Sequence, residues 1–512
     1  MRNQGIGSWP ARRSRSTPQA TALVYGGRTT TYAALHARVT ALAHALRARG
    51  IDPGDRVAYL GPNHPAFVET MFATHALGAI FVPLNFRLAA PEVAYMLDDS
   101  GASLLVHAPE NADAVAALEA YAGARIALGA PGAGDEAYED LLASSGADDD
   151  PSRVPAVDVP VAASDPALIL YTSGTTGRPK GAVLTHDNLL ANAINLLVDV
   201  DVATDEVTLV GAPLFHVAAL DQTLIPTILK GGTCVIMPTW DVDACFDLIA
   251  EHRVTWMFGV SAMFAGLAQS PRWSGADLSS IRTVMSGGAP VPESLIRTYQ
   301  ERGLTFCQGY GMTETAPGAT FLRPEQSIAK AGTAGTPCFF VDVRVVDADG
   351  ADVAPGVPGE VLVAGANVTP GYWNRPDATA AAFTDGWLRT GDVATVDDDG
   401  YLTIVDRVKD MFISGGENVY PAEVEAVLFA HDGVAEAAVI GVPDERWGEV
   451  GAAYVVARPG ARLDVDDLRA FARTRLAGYK VPAHWHLVDD LPRTGSGKVR
   501  KPDLRTMTDD PR

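Results

Sequence analysis

The sequence predicts an α/β protein. A large N-terminal domain of parallel-rich sheets with helices, plus a β-rich subdomain, precedes a small α+β C-terminal domain. Three observations carry that prediction. Helical and strand periodicities alternate from about residue 31 to about residue 340, as in folds that build parallel sheets through crossover helices. Between about 342 and 406 the pattern becomes short strand-like runs with turns such as Asp349-Gly350 and Asp399-Gly400, the mark of hairpins. After Arg407 a compact alternation of helix and strand begins, and 512 residues leave room for several domains at roughly 100–200 residues each.

The elements follow in order. From Thr31 to Gly50, Leu35, Val39, Leu42, Ala43 and Leu46 recur at helical spacing, and Gly50 stops the helix. Arg56–Leu60 reads as a strand. The longest apolar stretch, Ala66 to Leu84, carries Glu69, His75 and Pro83, so it reads as a helix running into a strand and not as a membrane span. Residues 129–165 are rich in Gly, Ala, Asp and Pro, and their run Asp148-Asp149-Asp150-Pro151 reads as a solvated loop. Ala167-Leu168-Ile169-Leu170 and Thr283-Val284-Met285 read as strands. Past Arg407, a helix is expected near Pro421–Phe429, strands at Val434–Gly441 and Gly451–Ala457, and a helix near Val465–Leu476.

Composition narrows the function classes. With 47% hydrophobic and 20% charged residues the chain is an ordinary globular one with large cores. A net charge of −22 argues against a broad nucleic-acid surface, which needs clustered Lys and Arg. Anionic ligands then require locally basic pockets, for which Arg407, Lys409, Lys480, Arg493, Lys498, Arg500 and Lys501 are candidates. The four cysteines form no Cys-x-x-Cys pair and suit small buried residues in a reducing compartment. His484-Trp485-His486 lacks Cys or acidic partners at metal-ligand spacing. Residues 1–18 contain Arg12 and Arg13 but no apolar signal core. The expectation is a soluble, cytoplasmic protein with no integral membrane segment. The oligomeric state stays open, a homodimer among the forms consistent with the sequence.

The most informative segment is Tyr171-Thr172-Ser173-Gly174-Thr175-Thr176-Gly177-Arg178-Pro179-Lys180-Gly181, directly after an apolar strand. Glycines let backbone N–H groups turn toward a ligand, hydroxyls add donors, and a lysine adds a mobile charge, which together suit a polyphosphate. It is no Walker A loop, because Gly-Lys-[Ser/Thr] is absent. Four further segments carry chemistry. Ser286-Gly287-Gly288-Ala289-Pro290 ends a strand with side-chain-poor residues that admit a flat ligand. Gln308-Gly309-Tyr310-Gly311-Met312-Thr313-Glu314 supplies an aromatic ring, a hydroxyl and a hard carboxylate. Trp387-Leu388-Arg389-Thr390-Gly391-Asp392 places an acid in a turn. Leu491-Pro492-Arg493-Thr494-Gly495-Ser496-Gly497-Lys498 presents one lysine on a Gly-Ser-Gly loop.

On these motifs the chain, from Thr31-Tyr32 to Lys498, resembles the AMP-forming acyl-CoA synthetases, relatives of luciferases and of peptide-synthetase adenylation domains. Within that family the likeness is greatest to bacterial feruloyl-CoA synthetases and next to fatty-acid CoA ligases. The resemblance implies an adenylation domain of residues 1–407 and a mobile domain of residues 408–512 hinged at Lys409. It implies ATP, Mg2+ and coenzyme A, and an acyl-adenylate made before the thioester. By resemblance Thr172 to Gly177 and Lys180 hold the phosphates, Gly287 to Pro290 and Gln308 to Met312 surround the adenine with Tyr310 stacked on it, and Thr313 binds the α-phosphate. Glu314 ligates the metal, Asp392 and Arg407 contact the ribose, and Lys498 bridges carboxylate and α-phosphate. Ser414-Gly415-Gly416 and Lys480 are carried over to coenzyme A. His216, in Pro213-Leu214-Phe215-His216, closes the acyl pocket, lined by Ala218, Gln222, Val260, Met263, Gly309, Met312, Ala316 and Pro317. Ala218 departs from the aromatic residue of plant coumarate ligases, and Ser261 stands where relatives often carry Pro. No basic residue among these positions pairs a second carboxylate, which disfavours a dicarboxylate substrate. The expected substrate is ferulate or another hydroxycinnamate. The alternatives are a medium- or long-chain fatty acid, or adenylation that loads a carrier protein.

Overall fold

The computed structural model describes residues 2–144, 157, 159–172, 179–288, 291–407, 410–414, 417–444, 446–476, 478–493 and 498–507. They pack as two compact units. One comprises Met1–Val291, Leu295–Val343 and Val363–Leu388; the other comprises Pro292–Ser294, Arg344–Leu362 and Arg389–Arg512.

The first unit holds two large sheets. One runs in the order Thr336–Pro337, Gly318–Phe321, Thr305–Gly311, Thr283–Gly287, Trp256–Gly259, Val207–Val210, Thr233–Ile236, Thr21–Tyr25, Arg28–Thr31. Its six inner strands are parallel and its two ends antiparallel. The other runs Gly371–Tyr372, Lys180–Thr185, Pro166–Thr172, Ile80–Leu84, Arg56–Leu60, Leu104–His107, Ala124–Ala127, Asp135–Ala137. Every residue of Ile80–Leu84 and of Leu104–His107 is buried, as strands covered on both faces require. Phe81 of that sheet is fully buried and meets Phe67 edge to face at 5.1 Å. Each such side chain contributes about 1.5–3 kcal/mol through burial alone.

The helix expected between Thr31 and Gly50 is Tyr32–Ala48, capped by Thr31, whose hydroxyl accepts from Ala34 N at 3.2 Å. Gly50 takes φ +83 just beyond it. The apolar stretch from Ala66 resolves into helix Pro65–Ala76 and strand Ile80–Leu84. No helix among the described residues is long and apolar enough to cross a membrane. The composition-biased stretch 129–165 contains regular structure at its start. Asp135–Ala137 adds an edge strand, and helix Tyr138–Ser144 buries Tyr138, Leu141 and Leu142. Tyr138 donates to Glu69 Oε2 at 2.8 Å, so three side chains outweigh a composition that looked solvated. The Asp148–Pro151 run lies outside the described residues.

A five-stranded sheet follows, Val341–Val346, Gly359–Gly365, Trp387–Val396 and Phe383–Thr384 in order, with Leu402–Arg407 paired to Trp387–Val396. The second unit holds the sheet Glu417–Val419, Phe412–Ser414, Gly448–Ala457, Val434–Asp444, with His484–Val488 parallel to Gly448–Ala457. Helices Pro421–Phe429 and Val465–Arg473 bury Val424, Leu428, Leu468 and Ala472 in its core. The latter helix stops three residues before the expected Leu476.

Candidate active site

Strands Pro166–Thr172 and Lys180–Thr185 form an antiparallel hairpin with Thr172 opposite Lys180. The apolar run Ala167–Leu170 is its buried stem. Ser173, Gly174, Thr175, Thr176 and Gly177 lie outside the described residues; the two ends of the loop do not. At one end Tyr171 donates its hydroxyl to Asp99 Oδ2 at 2.9 Å and to Met96 O at 3.1 Å. At the other, Tyr95, one helical turn before Asp99, donates to Pro179 O at 3.0 Å. Arg375 pairs with Asp99. Helix Ala90–Ser100 thus pins both stems from which the loop springs.

Strand Thr305–Gly311 carries Gln308–Gly311 at its end, and the Gln308–Glu314 motif runs on into the following turn. Gln308 donates to Thr333 O at 3.0 Å. A Cβ on Gly311 would stand 1.7 Å from Pro317 O, so only glycine fits there. The chain then turns through Thr313–Thr315, which carries Thr313 and Glu314, with Glu314 4% exposed. Tyr372 donates its hydroxyl to Glu314 Oε1 at 2.8 Å. Lys180 Nζ lies 5.4 Å from the centroid of the same ring. Burial first, then the Glu314 charge, push the Tyr372 phenol well above its ordinary range, so it keeps its proton as a donor. The structure therefore brings Lys180, Tyr372 and Glu314 together, and the sequence reading had no place for Tyr372. Its only visible sign is the Gly371-Tyr372-Trp373 run, which means nothing until Tyr372 pairs with Ala182 across the sheet.

Among the described residues no cluster of three or more His, Cys, Asp or Glu side chains could cage a metal. A single buried carboxylate beside a cation fits Mg2+ held chiefly by nucleotide phosphates, the usual donor set for that ion. Gly287 ends strand Thr283–Gly287, and a Cβ there would come within 2.9 Å of Gly309 O. Gly288 follows at φ +81, while Ala289 and Pro290 lie outside the described residues.

His216 opens a short helix that passes into a π-helical turn, Leu220–Leu224. Its ring tilts against Phe215 at 4.4 Å. The π turn carries Gln222, 3% exposed, and Asp221, fully buried. Gln222 Oε1 and both Asp221 carboxyl oxygens have no hydrogen-bond partner among the described residues. Burial pushes the Asp221 carboxyl well above the carboxylate range. Met263 and Ala316 are buried, Ala218 is half-buried and Val260 is 38% exposed at the start of helix Ser261–Gln269.

In the second unit Asp392 is 6% exposed, and its main chain is in register with that of Arg407 across the Trp387–Val396 and Leu402–Arg407 pair. Lys409, Gly415, Gly416 and residues 494–497 lie outside the described residues. Lys498 is exposed, and the Arg493–Val499 bridge closes the neck of its loop. Lys480 Nζ lies 2.7 Å from both carboxylate oxygens of Glu423, so its charge already has a partner. Ser414, Trp447, Arg469, Arg473 and Tyr479 line a groove of about 1010 Å³. All four cysteines are buried and free, with burial pushing their thiols up, Cys307 to about 12.

This geometry coincides with what the chain is similar to. Residues 10–373 match the AMP-binding enzyme model and residues 423–498 match the AMP-binding enzyme C-terminal domain. A feruloyl-CoA synthase of an Amycolatopsis species is 55% identical over 505 residues, 99% of each chain. The long-chain-fatty-acid–CoA ligase FadD13 of Mycobacterium tuberculosis is 41% identical, over 93% of this chain and 92% of its own. Among solved structures, the o-succinylbenzoate coenzyme A synthetase of Bacillus subtilis, in complex with ATP and magnesium ion, superposes with a TM-score of 0.86. It is 33% identical and covers 97% of this chain and 99% of its own. Matched by the family model over residues 10–373 and by relatives along nearly its whole length, the chain belongs to the AMP-binding enzyme family and is an AMP-forming acid–thiol ligase.

Proposed function

We propose that the protein activates a hydroxycinnamic acid, ferulate by preference, as its acyl-adenylate and transfers the acyl group to coenzyme A. In the first step a carboxylate oxygen attacks the α-phosphorus of ATP, the α–β bridging P–O bond breaks and pyrophosphate leaves. In the second, the coenzyme A thiolate attacks the acyl carbon, the C–O bond to AMP breaks and AMP leaves. The observation that carries the substrate is the 55% identity to feruloyl-CoA synthase along nearly the whole of both chains.

The residues support that chemistry. Lys180 and Thr172 flank the phosphate segment, and Glu314 is the carboxylate for Mg2+, which when bound neutralises charge on the phosphates. Thr313 and Lys498 are proposed to contact the reacting carboxylate and α-phosphate, where fixed donors act strongly once water is excluded. Asp392 and Arg407 are proposed for the ribose. The groove with exposed Trp447 and Tyr479 and cationic Arg469 and Arg473 offers stacking and charge to the nucleotide end of coenzyme A, beside Ser414. The proposed division is an adenylation domain of residues 1–407 and a mobile domain of residues 408–512 turning at Lys409 between half-reactions. A cytoplasmic setting, where ATP and coenzyme A are at hand, completes the reading.

The test is purified protein with ATP, Mg2+ and coenzyme A against ferulate, p-coumarate, caffeate, benzoate and fatty acids from hexanoate to palmitate, with mass detection. Feruloyl-CoA and AMP are the expected products. Dominant fatty acyl-CoA would overturn the substrate, and acyl-AMP without thioester would point to a carrier protein as acceptor.

A further inference from the structure

The contacts of Tyr372 make it more than a packing residue. Its main chain is fixed from two sides: it pairs with Ala182 in the Lys180–Thr185 strand, and its N–H donates to Thr379 Oγ1 at 2.9 Å. Gly371 stands at φ +143, where a Cβ would meet the Thr379 side chain at 2.4 Å, so the residue before the tyrosine must be glycine. Trp373 N donates to Gly181 O at 2.8 Å on the far side. The ring is thereby held while its two ends do different work. Its face lies under the Lys180 ammonium, and its hydroxyl holds one oxygen of the Glu314 carboxylate. Glu314 is held a second time, because Thr369 N donates to Glu314 O at 2.8 Å from the turn just before Tyr372.

A cation and a carboxylate that converge on one triphosphate must not collapse into a direct ion pair before the nucleotide arrives. An aromatic ring between them attracts the ammonium by its face and the carboxylate by its hydroxyl, keeping the two at a fixed spacing. We propose that Tyr372 is a positioning residue that sets the separation of Lys180 and Glu314 for magnesium-bound ATP, acting in adenylation and not in thioester formation. This rests on the assignment of Lys180 and Glu314 to MgATP made above.

Tyr372→Phe keeps the ring and removes the hydroxyl; Tyr372→Leu removes both. Binding is measured by calorimetry without any acid substrate, once with ATP and Mg2+ and once with ATP and a chelator. Losing a hydrogen bond to a charged group predicts MgATP binding weakened about tenfold in Tyr372→Phe, with metal-free ATP changed less than about twofold. Losing the ring as well adds about threefold in both conditions in Tyr372→Leu. Thioester formation from supplied feruloyl-AMP should match the wild type in both variants. Equal MgATP affinity in wild type and Tyr372→Phe would overturn the proposal, as would equal losses with and without Mg2+ or a matching fall in the thioester step. If the wild type itself fails to bind MgATP, the assignment of Lys180 and Glu314 falls instead.

Discussion

Replacing Asp221 by Asn should stabilise the protein, and by more as the pH rises. Asp221 is fully buried in the Leu220–Leu224 π turn, and neither carboxyl oxygen has a hydrogen-bond partner among the described residues. Asn192 spends its amide on the Asp221 main-chain oxygen at 2.8 Å and its carbonyl on Gly318 N at 3.0 Å. Burial therefore raises the carboxyl from its ordinary 3.8, and the folded chain keeps the proton. Below pH 3.8 both folded and unfolded states carry it and there is no penalty. Above that value the unfolded chain ionises while the folded chain does not, so wild-type stability falls until the folded carboxyl also ionises. Over the range in which only the unfolded chain ionises, the slope is about 1.4 kcal/mol per pH unit. In a cooperative unit of several hundred residues that corresponds to about 2 °C in melting midpoint per pH unit. The assay is thermal unfolding of both proteins at one scan rate at half-unit steps from pH 5 to pH 8. The quantity read is the difference in midpoint, which should widen steadily with pH whatever its starting offset. Parallel curves would refute the argument, because they would mean that Asp221 titrates alike in both states.

Two further substitutions probe the site. Lys498→Ala should lower adenylation by about 10²–10³, the scale of one lost electrostatic donor, while thioester formation from supplied acyl-AMP persists; equal loss in both half-reactions would remove Lys498 from its role. Gly311→Ala drives a Cβ into the main-chain oxygen of Pro317, which no side-chain rotation relieves. The displaced Thr313–Thr315 turn should cost about 10² in pyrophosphate exchange, the price of roughly 1 Å of misplacement. Unchanged exchange in a folded Gly311→Ala protein would show that the turn adapts.

Much of the site was legible because its parts are local. The hairpin stems around the phosphate segment, the Gln308–Glu314 strand and turn, and the Pro421–Phe429 helix all depend on residues adjacent in the chain. Periodicity and turn chemistry speak directly of such neighbours. Tyr372 was illegible for the opposite reason. Its partners Lys180 and Glu314 are supplied by chain far from it in sequence, and no short run announces that they meet. Helix Tyr138–Ser144 was hidden by composition, since its burial depends on Glu69 waiting for the Tyr138 hydroxyl. Lys480 looked like an open cation until Glu423 closed on it.

By itself the sequence indicated the fold class, the family and a chemical inventory: a segment rich in glycine and hydroxyls, a carboxylate proposed for Mg2+ and a lysine after a glycine-rich run. Composition and motif spacing suffice for that because they encode which elements form and which functional groups each presents. Only the tertiary structure decided which groups touch. It set the Tyr372 ring against Lys180 and its hydroxyl on Glu314, tied Pro179 and Tyr171 to Tyr95 and Asp99, and left Asp221 and Gln222 with buried side-chain oxygens unpaired among the described residues. The reason is physical. Hydrogen-bond and charge energies depend on separations of a few ångströms, and for groups far apart in the chain only packing sets those separations.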